Sequence, residues 1–301
     1  MITVAKESGN SVYRSALTLG PFEVIIESEI PGAIQEVADI YSAAPTPAPT
    51  GEGDYPTTET VIYRVCYETE QTRDSPRFLI TRNDEILRRN TRQEDLSRFL
   101  EWSITDTASR ALTGYHRIHA GAIAYNGHGI LMPAISGSGK STTVAALALN
   151  GLDYCSDEMA LIGADSRLRP FPKIISLKSG GWREIYRQFP DLVAERGWPN
   201  VSGGGAWQVK PPVLPDAEQS RAGYPIDLVL LPKHSTEEAT SLKPISKSEA
   251  LRDLVDQSMD LKLWGSTGLD MLVKVVQQAE CYALCSNRLA DSVALVQELA
   301  S

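Results

Sequence analysis

Positive charge is in short supply in this chain. Against 38 Asp and Glu stand 29 Lys and Arg, a formal net charge of −9 at pH 7. Proteins that grip nucleic acid through its phosphates usually present a basic face, so this balance argues against a nucleic-acid partner. Cysteine is scarce too. Cys66, Cys155, Cys281 and Cys285 are too few and too scattered over 301 residues to form a disulfide framework. The four histidines are not spaced as a metal site. Long apolar runs are missing: none approaches the roughly 18–20 residues of a membrane span. The opening MITVAKESGNSVYR lacks the apolar stretch of a secretory signal. The expectation is a cytoplasmic, acidic, globular protein with no membrane partner. The chain does have material for a core, with 42% hydrophobic and 22% charged residues. Its length suits one large or two ordinary domains.

Two segments break the composition. Residues 43–58, AAPTPAPTGEGDYPTT, and residues 198–215, WPNVSGGGAWQVKPPVLP, read as loops. Proline lacks an amide donor and glycine raises the entropic cost of order, so neither suits a helix interior or a central strand. Before Gly114, PFEVIIES, VIYRVCYET and RFLIT read as strands, with Asn83-Asp84 as a hairpin turn into EILRR. From Thr91 to Leu112 the pattern becomes helical, with Phe99, Trp102, Ile104 and Ala108 at helical spacing. Thr91 and Glu94 have the spacing of a capping box. The expected division is an α+β domain over 1–114 and a second domain over 115–301.

The second part carries the chemistry. Asn126-Gly127 stands between two apolar runs, the strongest short hairpin signal, because a type I′ turn needs positive φ at both central residues. The strand GILMP then runs into Ala134-Ile-Ser136-Gly137-Ser138-Gly139-Lys140-Ser141-Thr142. This is a Walker A pattern with Ala134 where glycine usually opens it. Gly137 and Gly139 would let backbone amides curl around phosphate oxygens, with Ser136, Ser138 and Thr142 completing the cradle. Lys140 brings a point charge to the β- and γ-phosphates, and the Ser141 hydroxyl suits Mg²⁺. A helix over 142–149 would turn its positive dipole end toward the anion.

The next strand ends in Asp157-Glu158. After so short a crossover it should run parallel to the loop strand and near it. The pair would then sit at the strand's C-terminal end, where α/β folds gather ligands. One carboxylate can hold Mg²⁺ with Ser141, and the other can take a proton from an attacking hydroxyl. Asp153 lies nearer the strand start. His119, on the other arm of the hairpin, could reach the acidic pair; His116, His128 and His234 have ordinary structural readings. Beyond the site, 224–232 and 280–285 read as strands, and 246–259, 268–278 and 289–299 as helices.

HAGAIAYNGHGILMPAISGSGKSTT, DYCSDEMALI and RPFPKIISLKSGGW, in that order, resemble the HPr kinase/phosphorylase superfamily. The closer likeness is to its branch of HPr-kinase-related kinases, which includes kinases of lasso-peptide biosynthetic clusters. The resemblance covers about residues 97–301. It implies an α/β P-loop kinase domain with a mixed sheet of the HPr kinase/phosphoenolpyruvate carboxykinase type. The implied reaction is ATP- and Mg²⁺-dependent phosphorylation of a serine hydroxyl on a peptide or small protein, such as the C-terminal residue of a precursor peptide. The family's general base carries onto Asp157, its metal carboxylate onto Glu158, and the histidine beside the base onto His119. Lys178, in the family's SLK segment, and Arg183 are candidates for holding phosphate or acceptor. Self-association into a homo-oligomer is implied as well. The Gly-Arg signature of true HPr kinases is replaced by GGGAWQVK, which points away from HPr as the acceptor. A kinase for free serine or a sugar alcohol stays open, as does a nucleotide-binding regulatory module with little turnover.

Overall fold

The computed structural model describes residues 12–19, 22–41, 59–68, 76–112, 114–192, 195–199, 205–215 and 217–300. The chain divides into two compact units, Met1–Thr113 and Gly114–Ser301. Gly114 itself belongs to the second unit.

The first unit contains β1 (Tyr13–Leu19), β2 (Phe22–Ser28), α1 (Pro31–Ile40), β3 (Glu59–Tyr67), β4 (Arg77–Arg82), β5 (Glu85–Arg92) and α2 (Gln93–Ala111). The strands form one mixed sheet in the order β1-β2-β3-β4-β5, parallel only between β2 and β3. Proline at the start of α1 suits a helix N-terminus, where its missing amide costs nothing. Ala33, Ile34, Val37 and Ala38 of α1 are buried along one stripe. On α2 the buried stripe is Leu96, Leu100, Ile104 and Ala108, each fully enclosed. Trp102, expected on the same face, is 60% exposed instead. The capping box also fails: β5 continues to Arg92, so Thr91 is a strand residue opposite Phe78, and no side chain caps α2. The proline-rich segment 43–58 lies outside the described residues.

The second unit runs β6 (Tyr115–Ile118), β7 (Ala120–Tyr125), β8 (His128–Pro133), α3 (Lys140–Leu149), β9 (Asp153–Ser156), β10 (Ala160–Gly163), β11 (Arg167–Arg169), β12 (Ile175–Lys178) and α4 (Ser179–Gln188). It continues with β13 (Glu195–Pro199), β14 (Gly205–Val209), α5 (Ala217–Ala222), β15 (Tyr224–His234), β16 (Ser241–Pro244), α6 (Lys247–Asp256), α7 (Leu261–Gln278), β17 (Glu280–Ser286) and α8 (Leu289–Leu299). The fold class is mixed α/β. The central strands are β17, β15, β8, β7 and β9 in that spatial order. β8, β15 and β17 are parallel, whereas β7 is antiparallel to both β8 and β9. β9 therefore points the same way as β8 but lies one strand away from it.

Alternation along these strands feeds two cores. Ala122, Ala124, Leu131 and Val229 pack with Met271, Leu272 and Val275 of α7. Ile123, Ile130, Met132 and Leu230 pack with Val144 and Leu147 of α3 and Val293 of α8. The expected loop over 198–215 is in part a sheet: β14 pairs with β12 and β13. Residues 200–204 lie outside the described residues; Gly205 opens β14 opposite Pro199, and Trp207 stacks on Trp182 at 5.0 Å. The expected helix from Gly268 begins earlier, at Leu261, and crosses a kink at Gly265. Among the described residues no helix is long and apolar enough to cross a membrane.

Candidate functional site

The β7–β8 hairpin assembles the site. Asn126 and Gly127 both have positive φ, as the turn requires. The resulting register sets Ala120 opposite Pro133, and β7 in turn sets Ala122 opposite Ser156. His119, Ala134 and Asp157 each adjoin one of these strand ends, so all three emerge at the same edge of the sheet. Three separate sequence motifs meet there because β7 lies between β8 and β9.

The glycine-rich loop follows β8 directly. Gly137 and Gly139 have φ of 93° and 94°, where a side chain would be strained. Among the described residues no hydrogen bond occupies either amide. Ala134 is not in a positive-φ conformation, so its methyl group costs the backbone nothing. Its carbonyl accepts from Lys140 Nζ at 3.4 Å, an interaction independent of the side chain at position 134. Lys140 is only 6% exposed. Its stem passes Gly121 of β7, where a Cβ would stand 3.2 Å from Lys140 Cγ and 2.5 Å from Val144 Cγ2. Burial lowers the Lys140 ammonium to about 8, with Asp157 and Glu158 pulling it back up.

Asp157 is buried, and its Oδ1 accepts from the Tyr154 hydroxyl at 2.9 Å. Burial raises its carboxyl to about 6, against the opposing pull of Lys173. Glu158 goes the other way. Its carboxyl is held below the usual range chiefly by Lys173, with which it forms an ion pair, and its side chain is 56% exposed. The two adjacent carboxylates are thus pushed apart in proton affinity, the pattern expected when one is to exchange a proton and the other to stay charged. His119 is half-buried and its pKa is lowered by burial and by Lys140, with Glu158 opposing. Its electrostatic partners are Lys140 and Glu158 rather than Asp157.

Lys178 also reaches the loop: its Nζ donates to Ser136 Oγ at 3.1 Å. α4 begins just beyond, close enough that a Cβ on Gly181 would lie 2.4 Å from Thr142 Oγ1. Arg183 is on the exposed side of α4, and among the described residues no hydrogen bond or ion pair ties it to the loop. Asp153 stands at the far end of β9, opposite Ala124. His116 is fully buried, with Nε2 2.6 Å from Ser258 Oγ and its ring stacked on Trp264. His128 is exposed and pairs with Asp227.

Three participants escaped the sequence reading. Lys173 is nine-tenths buried and stands in RPFPKIISLKSGGW, a segment from which the sequence singled out only Lys178. Tyr154 lies on β9, three residues before Asp157, and no motif marks it. His234 closes β15, its N–H donates to Ser138 C=O at 2.9 Å, and its Nδ1 is 3.0 Å from Ser286 C=O. The last could have been found, because a strand parallel to the loop strand should deliver its C-terminal end to the same crevice.

As for a metal, the oxygen donors Ser141, Asp157 and Glu158 suit a hard cation. Mg²⁺ asks for few protein ligands, since phosphates and water complete its shell. Among the described residues no cluster of three or more His, Cys, Asp or Glu forms a self-sufficient metal site. No protein-family model and no curated protein matches this chain.

Proposed function

We propose that this chain is an ATP- and Mg²⁺-dependent kinase. Its γ-phosphate acceptor is a serine hydroxyl on a peptide or small protein, and the second unit is a P-loop domain of the HPr kinase/phosphoenolpyruvate carboxykinase type. One observation carries the reading: a buried carboxyl raised to about 6 shares a sheet edge with a glycine-rich loop and its buried lysine.

In this reading the amides of Gly137 and Gly139 and the first turn of α3 take phosphate oxygens. Lys140 stabilises charge on the transferring group. Ser141 and Glu158 would hold Mg²⁺, which when bound neutralises phosphate charge. Asp157 accepts the proton of the serine hydroxyl as the oxygen–phosphorus bond forms. The bond from the γ-phosphorus to the bridging oxygen breaks, and ADP leaves with the electron pair. Such catalysis rests on positioning and charge stabilisation.

The test is incubation with ATP, Mg²⁺ and serine-containing peptides, read by mass spectrometry as the gain of one phosphate. Lys140→Ala should reduce transfer on the order of 10³-fold and weaken ATP binding in calorimetry. Wild-type transfer and binding by this variant would overturn the reading.

A further inference from the structure

The connection between α6 and α7 is fastened to the strand end that carries His119. His119 N–H donates to Gln257 C=O at 2.8 Å, and Met259 N–H donates to Arg117 C=O at 2.9 Å. Ile118 and Ser258 form a β-bridge between these links. Arg117 donates to the buried Asp260 carboxylate from its backbone N–H at 3.2 Å and from Nε at 2.8 Å. His116 Nε2 meets Ser258 Oγ. Residues 257–260 therefore behave as a short additional edge strand on β6, locked at both ends.

At the head of this strap Gln257 also uses its side chain. Its Oε1 lies 3.2 Å from His119 Nδ1. An amide oxygen only accepts, so this contact requires a proton on Nδ1. The flipped amide would donate to a bare Nδ1 and leave the proton on Nε2. The amide oxygen is the atom set against Nδ1, and the Lys140 ammonium disfavours a second proton on the ring. Among the described residues His119 Nε2 has no hydrogen-bond partner.

We propose that Gln257 is a positioning residue that holds His119 as the Nδ1–H tautomer, leaving the Nε2 lone pair for the site. A ring fixed this way can accept a hydrogen bond from a donor bound beside Lys140 and Glu158, whereas the other tautomer cannot. This consequence rests on the phosphotransfer reading; the tautomer does not.

The experiment is long-range ¹H–¹⁵N correlation NMR of the full chain at pH 7.5, with His119 assigned by loss of its signals in His119→Gln. Burial keeps the His119 imidazole neutral there. Wild type should give Nδ1 a protonated-nitrogen shift and Nε2 an unprotonated one. Gln257→Leu should reverse or average that pattern and lower kcat/KM for transfer about tenfold, with ATP affinity unchanged. Gln257→Glu, which keeps an acceptor, should keep Nδ1 protonated. Gln257→Met repeats the apolar test should leucine disturb folding. A protonated Nε2 in wild type overturns the proposal, and so does a pattern that Leu and Met leave unchanged. Absence of any phosphate transfer by wild type would instead strike the kinase reading, and the nitrogen shifts would still decide this one.

Discussion

The β4–β5 hairpin of the first unit and the β7–β8 hairpin of the second turn by the same local geometry. Asn83 and Asp84 have φ of 47° and 66°, and Asn126 and Gly127 have φ of 50° and 85°. Both pairs satisfy the type I′ requirement. Their strands meet different fates. β5 is the edge of its sheet, carries Arg88, Arg89 and Arg92, and buries only Thr91. Charge along an edge discourages pairing with another chain. β7 and β8 lie inside their sheet and are buried almost to the turn. Ala120, Gly121, Ala122 and Ala124 are small enough for helices to close on β7 from both faces. Turn chemistry sets which strands pair; the neighbours of the pair set whether it can carry a buried site.

The comparison breaks most sharply at the buried end. Asp157→Asn removes the proposed base at the edge that β7 helps to build. Transfer should fall about 10²–10⁴-fold with ATP affinity retained; near wild-type turnover would remove Asp157 from the mechanism. The wild-type rate should rise with pH through about 6, the value to which burial lifts this carboxyl from its ordinary 3.8. The sign for stability is opposite. A carboxyl raised by folding is most favourable to the fold below its ordinary pKa, and that contribution is lost as pH rises through the folded value. Asp157→Asn should therefore be more stable than wild type by about 3 kcal/mol above pH 7, a gap that closes below pH 4. Denaturant unfolding at the two pH values measures it, and a constant gap would contradict the assignment.

Next in size is Gly121→Ala. Its methyl group would meet Val144 Cγ2 at 2.5 Å and press on the Lys140 stem. Overpacking of this kind should cost about 1–3 kcal/mol and weaken nucleotide binding as well. Unchanged thermal stability would mean that α3 can retreat from β7 freely. The smallest effect belongs to the exposed hairpin. Asp84→Gly removes a side chain from a positive-φ position and should stabilise the first unit by about 0.5–1 kcal/mol. The lost Arg64–Asp84 pair is at an 84% exposed aspartate and is worth little. A loss of stability would give that pair more weight than exposed ion pairs usually have.

Legibility in the sequence follows locality. The hairpin turn, the glycine-rich loop, the helix after it and the acidic pair are each written within a few consecutive residues, where φ preferences and short spacings act directly. The stripe on α2 was harder. Ile104 and Ala108 are buried as expected, but a modest rotation about the helix axis separates Phe99 and Trp102 from Leu96 and Leu100, and only packing chose the latter pair. The β14 strand was hidden because glycine and proline lower strand propensity, yet pairing with β12 and β13 overrides it.

By itself the sequence determined the two hairpin turns, the conformation of the glycine-rich loop and the shortage of positive charge. Those depend on backbone sterics and composition, which need no distant partner. Only the tertiary structure decided that Lys173 would neutralise Glu158, that Tyr154 would hold Asp157, and that Gln257, 138 positions from His119, would grasp its ring. Burial selects such partners. Once a charge or a ring nitrogen leaves water, it needs a counter-charge or a hydrogen bond from whatever the sheet order brings alongside, and sheet order is set by packing over the whole unit.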